Sequence, residues 1–111
     1  MRFSVSLKRN HEFRRLYSKG KSAASGSMVL YCRRSGSERN RVGFTVSTKL
    51  GGAVTRNRIR RRLRETYRLS EDELRRGYDI VVVARSAALD TPFEALRAEF
   101  RGICGKLGLL L

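Results

Sequence analysis

"RVGFTVSTKLGGAVTRNRIRRRLRETYR", residues 41–68, changes its period halfway along. Val42, Phe44 and Val46 alternate with Gly43, Thr45 and Ser47, the two-residue repeat of a strand with one face buried. After "TKLGG" the repeat lengthens to about 3.6 residues, the period of a helix. Ile59, Leu63 and Tyr67 keep a four-residue spacing through residues 56–68, where seven of thirteen residues are Arg. A helix is therefore expected from near Ala53 to about Arg68.

Working outward, "YDIVVVA" at 78–84 is a continuous run of mostly β-branched residues. Such a run suits a central strand covered on both faces. A strand, a crossing helix and a second strand imply parallel pairing somewhere in the sheet. Before this unit, Asn10 is a candidate N-cap, Phe13, Leu16 and Tyr17 share one helical face, and Gly20 is a stop, which predicts a first helix over about 11–19. "GKSAASGS" at 20–27 leads into a strand in "MVLYCR", and "SGSERN" at 35–40 reads as a turn. After it, Ser70 and Glu73 resemble a capping box for a one-turn helix that Gly77 ends. Thr91, Pro92 and Glu94 fit N-cap, N1 and N3 of a last helix, with Phe93, Leu96, Phe100, Ile103, Cys104 and Leu107 on its apolar face. The expected order is α-β-β-α-β-α, with room for one more short strand in "SAAS". The class is an α+β sandwich around a central mixed sheet of about four strands.

With 111 residues there is room for a single domain, 1–111, and one modest core. The formal charge is +15, from 25 basic residues against 10 acidic ones, and 20 of the 25 are Arg. That excess repels itself in the folded state and calls for an anionic partner. No apolar run approaches the roughly 20 residues of a spanning helix. "MRFSVSLKRN" lacks the apolar stretch of a signal peptide. A cytoplasmic protein that binds nucleic acid rather than membrane is expected. The two cysteines, Cys32 and Cys104, are far apart in sequence and read as reduced and packed. With His11 the only histidine, a zinc site has too few ligands.

On a helical wheel Ile59, Leu63, Thr66 and Tyr67 fall in one arc, which can pack on the sheet. Asn57, Arg60, Arg61, Arg64 and Arg68 fall in the next, while Arg58 and Arg62 lie on a third side and read as solvated charge. Arg56, Arg60, Arg64 and Arg68 form a like-charge ladder at i, i+4, each step mutually destabilising, so a binding partner must offset it. Arg rather than Lys points to phosphate, because its planar fork donates to two oxygens at once. Asn57 can donate to or accept from a base edge or a 2′-hydroxyl. Lys49 precedes the start of this helix, and a helix N-terminus attracts anions. Phe13, Tyr17 and Tyr31 could stack bases. By spacing alone Phe13 and Tyr31 lean toward the core, and Tyr17 is divided between core and platform.

Catalytic chemistry is missing from the pattern. "LGGA" is not a phosphate-binding P-loop. One His, no Ser/His/Asp set and scattered carboxylates supply neither a nucleophile with its base nor a metal cage. No catalytic residue and no metal ligand is expected.

"TVSTKLGGAVTRNRIRRRLRETYR" at 45–68 resembles the signature of the bacterial ribonuclease P protein subunit. There a strand ending Val-Ser-Lys-Lys leads through Gly-Asn-Ala-Val to Arg-Asn-Arg-x-Lys-Arg-x-x-Arg. "NHEFRRLYSKGKS" at 10–22 is similar to that family's first helix, and the likeness extends through "VLYCR", "YDIVVVAR" and the last helix. The resemblance implies a ribosomal protein S5 domain 2-like fold and a subunit of an endoribonuclease. Its partners are then a large catalytic RNA and precursor tRNA, whose 5′ leader the RNA removes using Mg²⁺ that the RNA itself holds. No DNA partner is expected. It further implies that Arg56, Asn57, Arg58, Arg60, Arg61 and Arg64 of the Arg-Asn-Arg motif, together with Lys49, contact RNA, with Arg68 continuing the same face. Phe13, Tyr17 and Tyr31 match the aromatics of a cleft for the single-stranded leader. The chain departs from the family pattern at Arg60 for Lys, Tyr17 for Phe, Thr48 for Lys, and Gly52 where Asn usually caps the helix.

Two rivals share the composition. A structural ribosomal or rRNA-binding protein would also be small and Arg-rich, though such proteins often carry long basic tails. A sequence-specific DNA-binding module would need base-reading side chains, and a helix with Arg at nearly every outward position reads phosphate better than sequence.

Overall fold

The period change at 41–68 is a strand followed by a helix. The computed structural model describes residues 4–111. Among them run β1 (Ser4–Ser6), α1 (Asn10–Lys19), β2 (Lys21–Ala24), β3 (Met28–Arg34), β4 (Asn40–Thr45), α2 (Ala53–Ser70), β5 (Tyr78–Ala84) and α3 (Phe93–Lys106). Single 3-10 turns lie at Thr48–Leu50, Glu71–Glu73 and Ser86–Leu89. β2 is the extra short strand allowed for in "SAAS". β1 was not expected: three residues with one apolar side chain carry no period, and the strand exists only by pairing with β4.

The mixed sheet has five strands in the order β1-β4-β5-β3-β2. β4 and β5 pair in parallel, Phe44 opposite Val82, with α2 as the crossing helix between them. β3 and β5 pair antiparallel from Met28 opposite Ala84 to Arg34 opposite Tyr78. One sheet face carries Met28, Leu30, Cys32, Val42, Ile80 and Val82, and it packs on Ile59, Leu63 and Tyr67 of α2 and Leu96, Phe100 and Ile103 of α3. Tyr67 is fully buried and meets Phe44 and Phe100 edge to face, with ring centroids 6.2 and 6.0 Å apart. Each such pair adds about 0.5–1.5 kcal/mol beyond its buried area.

The opposite face meets α1. Val81 packs there with Leu7 and Leu16, and Phe13, Tyr31 and Val83 close around them. β5 is thus covered on both faces, as its unbroken apolar run predicts. The same coverage corrects the reading of β4 as half-exposed. Gly43 is buried because α1 passes directly over it, and a Cβ built there would lie 2.5 Å from Phe13 Cζ.

Three helix ends differ from expectation. Arg9, not Asn10, is the N-cap of α1, and it makes no side-chain cap bond. The capping box at Ser70 is absent because α2 continues through Ser70, and Glu73 turns to pair with Arg101 at 2.8 Å. α3 begins at Phe93 with Pro92 as its N-cap, because the Thr91 hydroxyl donates back to Ala87 O at 2.7 Å. At Ser70–Glu73 and Thr91 a tertiary or neighbouring partner outcompeted the local cap. The "SGSERN" turn ends in a buried residue, Asn40. Its amide donates to Arg75 O at 3.0 Å and accepts from Tyr78 N–H at 2.9 Å, tying β4 to the entry of β5. Both cysteines are free and buried, as expected. Burial pushes the Cys104 thiol up to about 12 and raises Cys32 as well. No helix among the described residues is long and apolar enough to cross a membrane.

Candidate nucleic-acid interface

α2 starts at Gly52, which has no side chain to cap the first free N–H groups. Arg56 Nε instead donates back to Gly51 O at 3.1 Å, which holds one guanidinium beside the helix start. The inner arc is as the wheel placed it: Ile59, Leu63, Thr66 and Tyr67 are all buried. Outside it, Asn57, Arg58, Arg61 and Arg64 are exposed, and Arg56 and Arg60 are half-buried. Arg60 Nη1 donates to Asn57 Oδ1 at 3.1 Å, one turn earlier. Asn57, Arg58, Arg61 and Val54 line one groove of about 270 Å³ at the N-terminal half of the helix. Arg58 therefore joins the same surface as Arg61 rather than standing apart.

Two arginines of this helix behave differently from the expectation. The ladder at 56, 60, 64 and 68 is interrupted, because Arg68 pairs with Glu65, its Nε donating to Oε2 at 3.0 Å. That bond holds the Glu65 carboxyl below its usual range. Arg62 is not solvated charge. It is half-buried, and its guanidinium donates to Leu89 O at 3.0 Å and to Thr91 O, clamping α2 to the segment before α3. Nothing in the local sequence marks that role, since both acceptors are backbone carbonyls more than 25 residues away.

The aromatic residues gather on the α1 side of the sheet. Tyr17 is 41% exposed and stands edge-on to Tyr31, with centroids 5.0 Å apart and planes at 77°. Phe13 and Tyr31 are half-buried, each with one part in the small core and another at the surface. Asn10, Phe13, Arg14, Tyr17 and Thr45 line an open groove of about 610 Å³. Tyr17 Oη and Thr45 Oγ1 lie 3.2 Å apart, joining helix to strand across it. Arg14 and Thr45 were not among the expected site residues. Thr45 could have been found by parity, since it shares a β4 face with Gly43. Arg14 offered no signal beyond following Phe13. Lys49 is exposed on the turn Thr48–Leu50, between the end of β4 and the start of α2. The groove's Thr45 end and the N-terminus of the basic helix are thus joined by one short connection.

Ion pairs at the other end of the sheet fix α1 in place. Arg41 on β4 donates to Asp79 on β5 through Nε at 2.8 Å and Nη2 at 2.7 Å, and its third nitrogen pairs with Glu12 of α1. The Asp79 hydrogen bonds hold the Arg41 proton even more firmly than usual. Among the described residues no group of three or more His, Cys, Asp or Glu side chains could hold a metal ion. His11, the one histidine, is exposed on α1.

The chain is similar to known proteins over most of its length. A family profile described as "Ribonuclease P" matches residues 1–108. The ribonuclease P protein component of Alkaliphilus oremlandii is 38% identical over 104 residues, covering 94% of this chain and 91% of the relative. That of Symbiobacterium thermophilum is 42% identical over 111 residues, covering 99% and 96%. Among solved structures, the RNase P protein of Staphylococcus aureus superposes with a TM-score of 0.84 at 30% identity, over 96% of this chain and 98% of that one. The Thermotoga maritima protein gives 0.79 at 28% identity, over 87% and 92%. With an aromatic groove and an Arg-rich helix joined through Lys49, and with relatives matched over nearly their full lengths, the chain belongs to the ribonuclease P protein family.

Proposed function

We propose that α2 lies against the catalytic RNA of ribonuclease P, and that the groove between α1 and the sheet takes the single-stranded 5′ leader of precursor tRNA. The observation that carries this reading is the adjacency of two unlike surfaces. Arg58, Arg61 and Arg64 present guanidinium groups with no partner among the described residues, on a helix that the turn Thr48–Leu50 connects to the strand edging the groove of Phe13 and Tyr17. Guanidinium forks suit phosphates, and exposed aromatic rings suit unpaired bases, each stacked base contributing about 1–3 kcal/mol. A duplex cannot offer its bases to such rings, whereas a leader strand can.

In this division of labour the chain supplies position and charge, and hydrolysis belongs to the RNA with the Mg²⁺ it holds. No residue here is assigned to metal or to bond cleavage. The Arg56 guanidinium and the uncapped N–H groups of α2 would meet a phosphate near Lys49, where the two RNA surfaces adjoin. Cytoplasmic action follows from these partners.

Reconstitution tests the reading. Protein added to a cognate catalytic RNA should strengthen binding of precursor tRNA well beyond that of mature tRNA, and rigorously RNA-free protein should cleave neither. Equal strengthening of both tRNAs would remove the leader from the groove. Leader removal by RNA-free protein would overturn the assignment of hydrolysis.

A further inference from the structure

The basic helix does not account for the charge. α2 carries seven Arg and one Glu, leaving a surplus of +9 of the +15 elsewhere in the chain. Part of that surplus is concentrated where β3 ends and β5 begins. Two grooves there, of about 240 and 440 Å³, share Arg34 and Tyr78 as common walls. Lys21 of β2 lines the first, and Arg75 and Arg76 line the second. Lys21, Arg34, Arg75 and Arg76 are exposed, and Tyr78 is half-buried with its ring between the two grooves. The guanidinium groups of Arg34 and Arg75 have no partner among the described residues. In the nearby acidic turn Glu71–Glu73, Glu73 is held by Arg101 at 2.8 Å.

Backbone restraint sets this cluster apart from loose surface charge. Arg75 N–H donates to Leu109 O at 2.7 Å and its carbonyl accepts from Asn40 at 3.0 Å. Ser35 N–H donates to Gly77 O at 2.8 Å, tying the end of β3 to the segment before β5. Arg34 and Arg75 therefore project from fixed positions on either side of Tyr78. Such an arrangement suits a phosphodiester backbone along the grooves, with a base against the exposed part of the ring.

We propose that this surface is a second RNA contact and that its occupant is the catalytic RNA. The inference rests on the reading of α2 given above. Position in the fold favours the occupant: Tyr78 shares the face of Cys32 and Ile80, toward α2 and α3, while Arg34 at the end of β3 borders both faces of the sheet. The leader groove shares no lining residue with these two, so a leader lying in it does not pass directly into them. The patch lies beyond the C-terminal end of α2, and Ser70 at that end is nine residues, about 14 Å along the helix, from Arg61. An acidic turn separates the two basic surfaces. The protein thus offers a large folded RNA two points of attachment rather than one continuous strip.

The test compares three double variants in equilibrium titration with the catalytic RNA, and then as holoenzymes with precursor and mature tRNA. Arg34→Ala/Arg75→Ala should weaken binding to the catalytic RNA about tenfold near 0.1 M salt and flatten the salt dependence by about one to two phosphate contacts. Its preference for precursor over mature tRNA should stay at the wild-type value. Arg61→Ala/Arg64→Ala should show a similar loss. Lys8→Ala/Arg9→Ala removes the same charge at residues that line neither the groove of Arg58 and Arg61 nor the patch, and should lose far less. If only the Arg61/Arg64 pair loses affinity, the patch is solvated and the proposal falls while the reading of α2 stands. If the Arg34/Arg75 pair loses only precursor affinity, the patch meets substrate and the proposal also falls. An equal loss for Lys8/Arg9 would reduce it to net charge. If neither arginine pair changes binding, both readings fall together.

Discussion

The ring of Phe13 fills the space that a side chain on Gly43 would need, with its Cζ 2.5 Å and Cε1 2.7 Å from where a Cβ would stand. The aromatic groove therefore depends on a strand residue that does not itself line it. Gly43→Ala must lift α1 or turn the ring, and overpacking of this kind costs about 1–3 kcal/mol. The expected result is a lower unfolding midpoint together with weaker discrimination of precursor from mature tRNA. Phe13→Ala should lose the discrimination and relieve the crowding, so the double variant should recover stability without recovering discrimination. Full discrimination in Phe13→Ala would show that the ring is only core.

Neighbouring arginines on α2 should separate cleanly into binding and folding roles. Arg61→Ala leaves a solvated surface and should cost RNA affinity and about one phosphate contact of salt dependence, with the unfolding midpoint unchanged. Arg62→Ala strips the clamp on Leu89 O and Thr91 O. Hydrogen bonds from a charged donor contribute about 1.5–3 kcal/mol, so stability should fall by an amount in that range. Chemical denaturation and RNA titration on both variants check the split; the reverse assignment would contradict the geometry.

Anions should stabilise the fold through the outward guanidinium groups of α2. A ligand that binds only the folded state contributes about 2.7 kcal/mol at a hundredfold excess over its dissociation constant. At matched ionic strength, sulfate, phosphate or a nucleoside triphosphate should raise the unfolding midpoint above chloride along a saturable curve. Sulfate also stabilises proteins by exclusion from their surfaces. The decisive comparison is therefore Arg60→Gln/Arg64→Gln, which should gain less than wild type.

Acid should loosen the contact between α3 and the β2–β3 turn. Glu99 accepts hydrogen bonds from Ser27 N–H at 3.1 Å and Ser27 Oγ at 2.7 Å. Hydrogen bonds from Ser25 and Ser27 hold its carboxyl below the usual 4.5. A folded-state value below the unfolded one gives stability that is present above the unfolded value and is lost as pH falls through the folded one. Stability should thus decline below about pH 4.5, and Glu99→Gln, which has no proton to gain, should show a flatter profile there. Denaturation midpoints measured from pH 6 to pH 3 on both proteins test this, and parallel profiles would exclude Glu99 as a contributor.

The sequence was most informative where a period runs long. Eighteen residues of α2 separate a buried arc from a charged one without ambiguity, and the seven of β5 announce a strand covered twice. What stayed hidden depends on partners distant in the chain. Asn40 reads as part of a turn because a single polar residue has no period, yet it satisfies the Arg75 carbonyl and the Tyr78 amide inside the core. Arg62 reads as solvent-facing because its acceptors are backbone atoms near residue 90. Tyr17 was divided between core and platform, and the structure leaves it more exposed than Phe13 and Tyr31 because it sits at the open end of α1. The Arg34–Arg75 cluster is invisible in one dimension, since its members come from three segments.

The two buried thiols make the native chain chemically quiet. Burial raises the Cys104 thiol to about 12, well above the pH of ordinary labelling, and only the thiolate attacks electrophiles. Cys32 is also raised and is buried in the face of β3 that packs on the helices. A cysteine introduced at an exposed position such as Arg75 or Arg61 would then be the dominant reactive one under native conditions. A photo-crosslinker or fluorophore could be attached there without first removing the natural pair, and each nucleotide captured would measure directly which strand passes over that face.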